Sequence, residues 1–201
     1  MKKITKTIVS LIVLFSLTFM PACDVMNNIG GAYRLSQSVY KYSSLNDIQL
    51  AGMKLGNASS ISLSNLASIA TVLAGGNTQT IPFSMTLNMD VTNPNTAAAF
   101  LDALDYQIII NELEFVEGKM DMPIRIEPGE TKVIPIPVSV DLRNLINRYS
   151  QERVTKEMSS FLGITPNETT VMVKLWPKLT VGNTLIKVPA AIPVEFKFGG
   201  R

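Results

Sequence analysis

The chain has 201 residues, 46% hydrophobic and 17% charged, with 18 Lys+Arg, 16 Asp+Glu, one cysteine and no histidine. A length of this order suits one hydrophobic core. The missing histidines exclude Ser–His–Asp and Cys–His nucleophilic machinery and histidine-ligated metal sites; a single cysteine excludes an internal disulfide or a cysteine-cluster metal site.

The chain opens on a basic segment, Met1-Lys2-Lys3-Ile4-Thr5-Lys6, followed by thirteen residues from Ile8 to Met20 interrupted only by Ser10, Ser16 and Thr18. A bilayer span needs about 20 apolar residues, so this stretch suits the core of a signal peptide. It has no polar face for an amphipathic helix of a folded domain. Met20-Pro21-Ala22-Cys23 comes next and resembles a bacterial lipobox, in which a small residue precedes a cysteine that is lipidated and begins the mature chain. A free thiol left in an oxidising compartment would be a liability. Cys23 is therefore the expected lipid attachment site, with residues 1–22 as signal peptide and 23–32, containing Gly30-Gly31, as a tether to a single domain at 33–201. The expected place is the cell envelope, held by the lipid on the periplasmic face of the outer membrane. Removing residues 1–22 takes away three lysines and no acid, leaving 15 basic against 16 acidic side chains. No basic surface remains that would argue for nucleic acid. No small-molecule substrate, metal or cofactor is indicated beyond the covalent lipid, and the expected partners are the membrane and an envelope protein.

From Tyr33 onward, alternation of apolar and polar residues dominates and predicts strands. An early strand is expected around Ile48–Leu55. Leu63, Leu66, Ile69, Ala70 and Leu73 then recur at helical spacing, with Ser62 as N-cap and Gly75-Gly76 as stop. Phe83 to Val91 alternates without a break, apolar on odd positions, and Leu104, Tyr106, Ile108 and Ile110 repeat the pattern on even positions. The phase changes at Leu113 and Phe115, so a turn at Asn111-Glu112 predicts a hairpin. Glu127-Pro128-Gly129-Glu130 carries the type II turn signature. In the strand that follows, Pro135 and Pro137 alternate with Ile134, Ile136 and Val138, which removes ladder donors and predicts a sheet edge. A second helix is expected from Asp141 to Leu162, stopped at Gly163, with Arg148, Glu152 and Lys156 on its solvated face. Two strands at 169–181 and 184–198 close the chain. The count is about seven strands with two inserted helices, an antiparallel β-sandwich.

The order of several short motifs resembles the type 2 late-embryogenesis-abundant (LEA14-like, or WHy) domain. Strand 83–91 runs into Thr92-Asn93-Pro94-Asn95; Leu101, Leu104 and Tyr106 follow, then Gly118, then an Ile-Pro pair within the stretch from Ile126 to Pro137. The opening Leu50-Ala51-Gly52-Met53-Lys54-Leu55 is similar to that of bacterial lipoproteins carrying this domain. The resemblance covers about 45–198. It implies an immunoglobulin- or fibronectin-III-like sandwich serving as a binding or stress-associated module, without an active site. Asn93, Pro94 and Asn95 then have a structural role at the end of a strand, where proline fixes φ and the Asn side chains bond nearby backbone.

No catalytic constellation stands out. Glu112 and Glu114, and Asp102 and Asp105, are the tightest carboxylate pairs, and the first belongs in a solvated hairpin turn. One strand does carry an unusual face. With Val171, Val173, Leu175 and Leu179 inward, Met172, Lys174, Trp176 and Lys178 share the other side, setting the only tryptophan between two lysines. That composition fits a partner-binding surface, unless the 141–162 helix covers it. The expected function is a non-enzymatic, membrane-anchored module, or alternatively an accessory subunit of an outer-membrane complex whose sheet edges pair with another chain.

Overall fold

The structure, a computed structural model, describes residues 29–57, 61, 68–69, 71–72, 79–165 and 167–198. The signal segment, Cys23 and most of the helix expected between Ser62 and Gly76 lie outside the described residues; of that helix, 68–69 and 71–72 are helical and Ile69 is buried.

Helix α1 spans 29–36 and is followed by β1 (Val39–Leu50), β2 (Met53–Gly56), β3 (Pro82–Thr92), β4 (Ala99–Leu101), β5 (Ala103–Ile110), β6 (Leu113–Met120), β7 (Ile124–Ile126) and β8 (Thr131–Asp141). Helices α2 (Leu142–Tyr149) and α3 (Gln151–Phe161) lead into β9 (Thr169–Val181), β10 (Thr184–Lys187) and β11 (Ile192–Phe198). One sheet has the order β2-β1-β3-β8; the second runs β10-β9-β5-β6, with β11 also pairing β9; β4 and β7 form a separate pair. All pairings are antiparallel.

The alternating residues of the two larger sheets face each other and form one core. Phe83 of β3 and Phe115 of β6 meet edge to face with centroids 5.8 Å apart, and Phe161 of α3 packs on Phe115 at 6.4 Å. Burying a side chain of this size contributes about 1.5–3 kcal/mol relative to exposure. The expected hairpin turn is present: Asn111 and Glu112 have φ of 45° and 65°, the left-handed pair of a type I′ turn. The expected type II turn is present too, with Glu130 N–H donating to the Glu127 carbonyl at 3.0 Å and Gly129 at φ 74°. β8 is a sheet edge, as its alternating prolines predict.

Five expectations are corrected. Residues 29–32, read as tether, are helical and belong to α1. Ala32 and Leu35 are buried there, and Gly31 lies so close to the Phe100 ring that a Cβ would sit 2.5 Å from it. The early strand is a hairpin turning at Ala51-Gly52, both with positive φ, and β1 begins nine residues earlier than Ile48, at Val39. The single helix from Asp141 is two helices. Ser150, at φ 90°, ends α2, and its side chain caps α3 by accepting from Arg153 N–H at 3.4 Å. The strand expected at 184–198 is divided: β10 pairs Lys187 with Lys178, whereas β11 pairs Ile192 with Leu175, so the loop through Pro189 carries extra residues. With the short β4–β7 pair, the described residues thus hold eleven strands in place of about seven.

Candidate functional site

Where β10 and β11 part, α1 and the end of β9 line a common groove. Ile29, Ala32 and Tyr33 of α1 supply one wall of a groove; Leu179, Ile186 and the 188–191 loop supply the other. The groove has a volume of about 550 Å³, and most of its exposed lining is carbon. Ile29, Tyr33 and Ile186 are themselves among the exposed large apolar side chains. Its only cationic lining residue among those described is Lys187.

The second feature is the outer face of β9. Met172, Lys174, Trp176 and Lys178 do share one face, and each is half-buried. Pairing places Asp105 of β5 opposite Trp176, and Ala103 opposite Lys178. Asp105 receives Lys178 Nζ at 2.5 Å and Lys187 Nζ at 3.1 Å, and Lys187 also lies 4.7 Å from the centre of the Trp176 ring. A cation over an indole face adds an attraction beyond the ion pair. The α2–α3 segment docks at the opposite end of the sheet, around the β5–β6 turn. There Asn111 donates to Glu157, Arg153 donates to the Asn111 carbonyl, and Tyr149 accepts from Glu114 N–H. Over Trp176 it is Lys187 that provides cover. Lys187 thus joins the groove to the tryptophan face, a connection that sequence parity could not give because it depends on the pairing of β10.

Burial acts to raise the Asp105 pKa, but hydrogen bonds and charge from Lys178 and Lys187 outweigh it and hold the carboxyl below the usual carboxylate range. A depressed pKa stabilises the fold above the unfolded value of about 4 and loses that contribution as pH falls through the lower folded value. Asp105→Asn is therefore expected to cost about 1–3 kcal/mol at neutral pH, with the Lys187 share reduced by its partial exposure. In urea unfolding the variant and the parent should converge once pH falls below the depressed value of the folded carboxyl. A difference that persisted there would show that the two lysines are not the cause.

The carboxylate pairs singled out in the sequence belong to the architecture. Asp102 accepts from Thr180 N–H at 2.6 Å, and Glu114 pairs with Arg148 at 3.3 Å, while Glu112 sits in the turn itself. Among the described residues no cluster of three or more potential metal ligands occurs.

The motif residues converge. Asn93 is fully buried; its amide donates to the carbonyls of Ala97 at 2.9 Å and Ile126 at 3.0 Å, and its oxygen accepts from Asn95 N–H at 3.1 Å and the Asn95 amide at 2.9 Å. Its backbone also donates to Glu130 and accepts from Gly129. Asn95 donates onward to the Arg34 carbonyl of α1, and Arg34 donates back to the Ala98 carbonyl at 2.8 Å. Pro94 is exposed at the turn. Tyr106 stands opposite Gly118, passes over it, and donates to the Pro137 carbonyl on the other sheet. The Asn-Pro-Asn run, the tyrosine, the glycine and the Ile-Pro pair are thus two physical devices, one at a strand end and one between the sheets. The LEA_2 family model, described as late embryogenesis abundant protein, matches residues 88–199, over half of the chain. The chain belongs to the LEA_2 family.

Three solved structures are similar to it. A crystal structure from Archaeoglobus fulgidus is 14% identical, covering 63% of this chain and 91% of its own, with a TM-score of 0.37. A solution structure from Arabidopsis thaliana is 13% identical, covering 80% and 82%, with a TM-score of 0.38. A candidate late embryogenesis abundant protein, also solved in solution, is 11% identical, covering 98% and 88%, with a TM-score of 0.34. No curated protein matches the chain significantly. The LEA_2 match takes in Asn93, Tyr106, Gly118, Pro137, the Trp176 face and the sheet wall of the groove, whereas α1, its other wall, lies upstream of it.

Proposed function

We propose that this LEA_2 protein is a non-enzymatic, lipid-anchored module of the cell envelope that binds or shields other molecules there. Residues 1–22 serve as its signal peptide, and the lipid on Cys23 holds it to the outer membrane, facing the periplasm. The stress-related half of this reading follows from the family. The observation that carries the module reading is the use made of the family motif. Asn93 and Tyr106 are committed to backbone carbonyls of their own fold, so they act as scaffold and leave contact to the surfaces around them. The anchoring half rests on the basic opening, the thirteen-residue apolar stretch and Ala22-Cys23. Two or three acyl chains on one cysteine exceed the marginal binding that a single chain provides.

The finer fold reading, an immunoglobulin- or fibronectin-III-like sandwich, is supported by strand order. Without β2, β10 and the β4–β7 pair, seven strands remain, ordered β1-β3-β8 and β6-β5-β9-β11. That order agrees with the A-B-E against C′-C-F-G order of such sandwiches, which supports the reading.

The Trp176 face, with Met172, Lys174 and Lys178, is the candidate contact surface. Trp176→Ala is expected to weaken partner capture while the domain still unfolds cooperatively; loss of cooperative unfolding would assign Trp176 to the core instead. A second reading, an accessory subunit of an outer-membrane complex, is favoured by β10. All four of its residues are exposed, and Leu185 and Ile186 are large and apolar, a sheet edge open to strand addition. Mild crosslinking of the native anchored protein separates the two. Stoichiometric capture of one outer-membrane protein selects the accessory role. A monomer that protects client enzymes during drying selects the protective module.

A further inference from the structure

The strands that end the two larger sheets are finished differently. At β8, Pro135 and Pro137 offer no N–H, and the Pro137 carbonyl already accepts from Tyr106. At β6 the register shifts between Ile108 and Ile109, and the Glu114 N–H donates to the Tyr149 hydroxyl at 3.2 Å. Devices of both kinds keep a further strand off a sheet edge. β10 ends its sheet with neither, and all four of its residues are exposed, Leu185 at 47% and Ile186 at 48%. A lysine on an edge usually deters pairing, but the Lys187 side chain is drawn to Asp105 and the Trp176 ring on the outer face of the sheet. We propose that β10 pairs antiparallel with β10 of a second copy of this chain, with Ile186 opposite Ile186 of the partner subunit.

The hydrogen-bond alternation of the β9–β10 hairpin selects that register. Thr184 pairs with Val181 and Ile186 with Leu179, and Val188 N–H donates to the Pro177 carbonyl at 2.8 Å. Bonded positions alternate along an antiparallel pair, so Thr184, Ile186 and Val188 bond towards β9, and the N–H and C=O of Leu185 and Lys187 point outward. With Ile186 on a twofold axis, Leu185 of each copy exchanges both its bonds with Lys187 of the other. Every outward backbone group of both β10 strands is then paired. A register centred on Lys187 would set two lysines directly opposite each other, which is unfavourable. One centred on Leu185 would leave the Lys187 backbone against the Gly182-Asn183 turn. The fit is thus self-complementary, as a closed interface between identical chains requires. The blocked β6 and β8 edges offer a β10 strand no such fit. Rotation about an axis through the sheet also keeps both α1 helices on one face of the joined sheet, as two chains anchored in one membrane through Cys23 require.

The test is disulfide trapping of the full chain in its native membranes, with the linked peptides mapped. Opposite residues of a non-bonded antiparallel pair lie about 4.5 Å apart between Cα atoms, within the range of about 4.4–6.8 Å that a disulfide spans. Ile186→Cys is therefore expected to give a covalent dimer of this chain under mild oxidation. Leu185→Cys, equally exposed, faces Lys187 of the partner subunit instead of its own copy and should give at least tenfold less. Leu185→Pro removes an outward N–H and no bond to β9. Added to Ile186→Cys, it should lower the trapped fraction at least tenfold while the domain still unfolds cooperatively. Equal trapping at 185 and 186, or undiminished trapping with Leu185→Pro, would overturn the pairing. So would a disulfide from position 186 to a different protein, which would give this edge to the accessory role. The unsubstituted chain, run alongside, keeps the anchor separate. A dimer linked through Cys23 defeats the anchor and not the pairing; a lipidated Cys23 with no trapping at 186 defeats the pairing and not the anchor.

Discussion

Asn93→Ala is expected to destabilise the domain by about 3–4 kcal/mol, read as a fall in the urea unfolding midpoint. The substitution removes the partner of the buried Ile126 carbonyl and that of the Ala97 carbonyl, and deprives the Asn95 N–H of its acceptor. Each buried polar group left unpaired costs about 1–3 kcal/mol. Asn93→Asp should be no better, because a carboxylate would then face two carbonyl oxygens. Asn95→Ala should cost less, since Asn95 is only half-buried, but it should loosen α1 by removing the bond to the Arg34 carbonyl. A loss below about 1 kcal/mol at Asn93 would mean that water can replace its bonds, and that the motif is not the scaffold described here.

Gly118→Ala is expected to cost about 3 kcal/mol, for a steric reason rather than a conformational one. A Cβ at this position would overlap the Tyr106 ring and hydroxyl, and the ring, 4% exposed, has little room to move. Overpacking of this kind costs about 1–3 kcal/mol. Displacing the ring also breaks its hydrogen bond to Pro137, a side-chain link between the sheets. The coupling is directly measurable. In a Tyr106→Leu background the same Gly118→Ala change should cost much less, giving an interaction energy of about 1–2 kcal/mol. Equal costs in both backgrounds would separate the glycine from the tyrosine.

These two devices also mark what the sequence made legible. Strand β3 could be read from its unbroken alternation, and the turns at Asn111-Glu112 and Glu127–Glu130 from their chemistry, because each is fixed by neighbours in the chain. β1 was hidden. Most of its first half is exposed or polar, and its register shifts at Tyr42/Ser44 and at Asn46/Gln49, so no single period runs through it. The break at Ser150 carries neither glycine nor proline, and α1 was masked by Gly30-Gly31, which reads as a linker. Its glycine is required instead by close contact with Phe100, a residue about seventy positions away.

The candidate site was legible by halves. Parity along β9 placed Met172, Lys174, Trp176 and Lys178 on one face. Asp105 and Lys187 join them only through cross-strand pairing, which no local pattern reports. The groove needs more still, because its walls come from opposite ends of the chain. The spacing of Ile29, Ala32, Tyr33 and Ser36 was its one available signal, and it makes sense only once 29–36 is known to be helical.

Anchoring through Cys23 is the claim on which placement in the envelope depends, and intact-mass and N-terminal peptide analysis of the protein from native membranes tests it most directly. The expected chain begins at Cys23, with mass added to that residue matching two or three acyl chains. A chain that begins elsewhere, or whose Cys23 is unmodified, contradicts it.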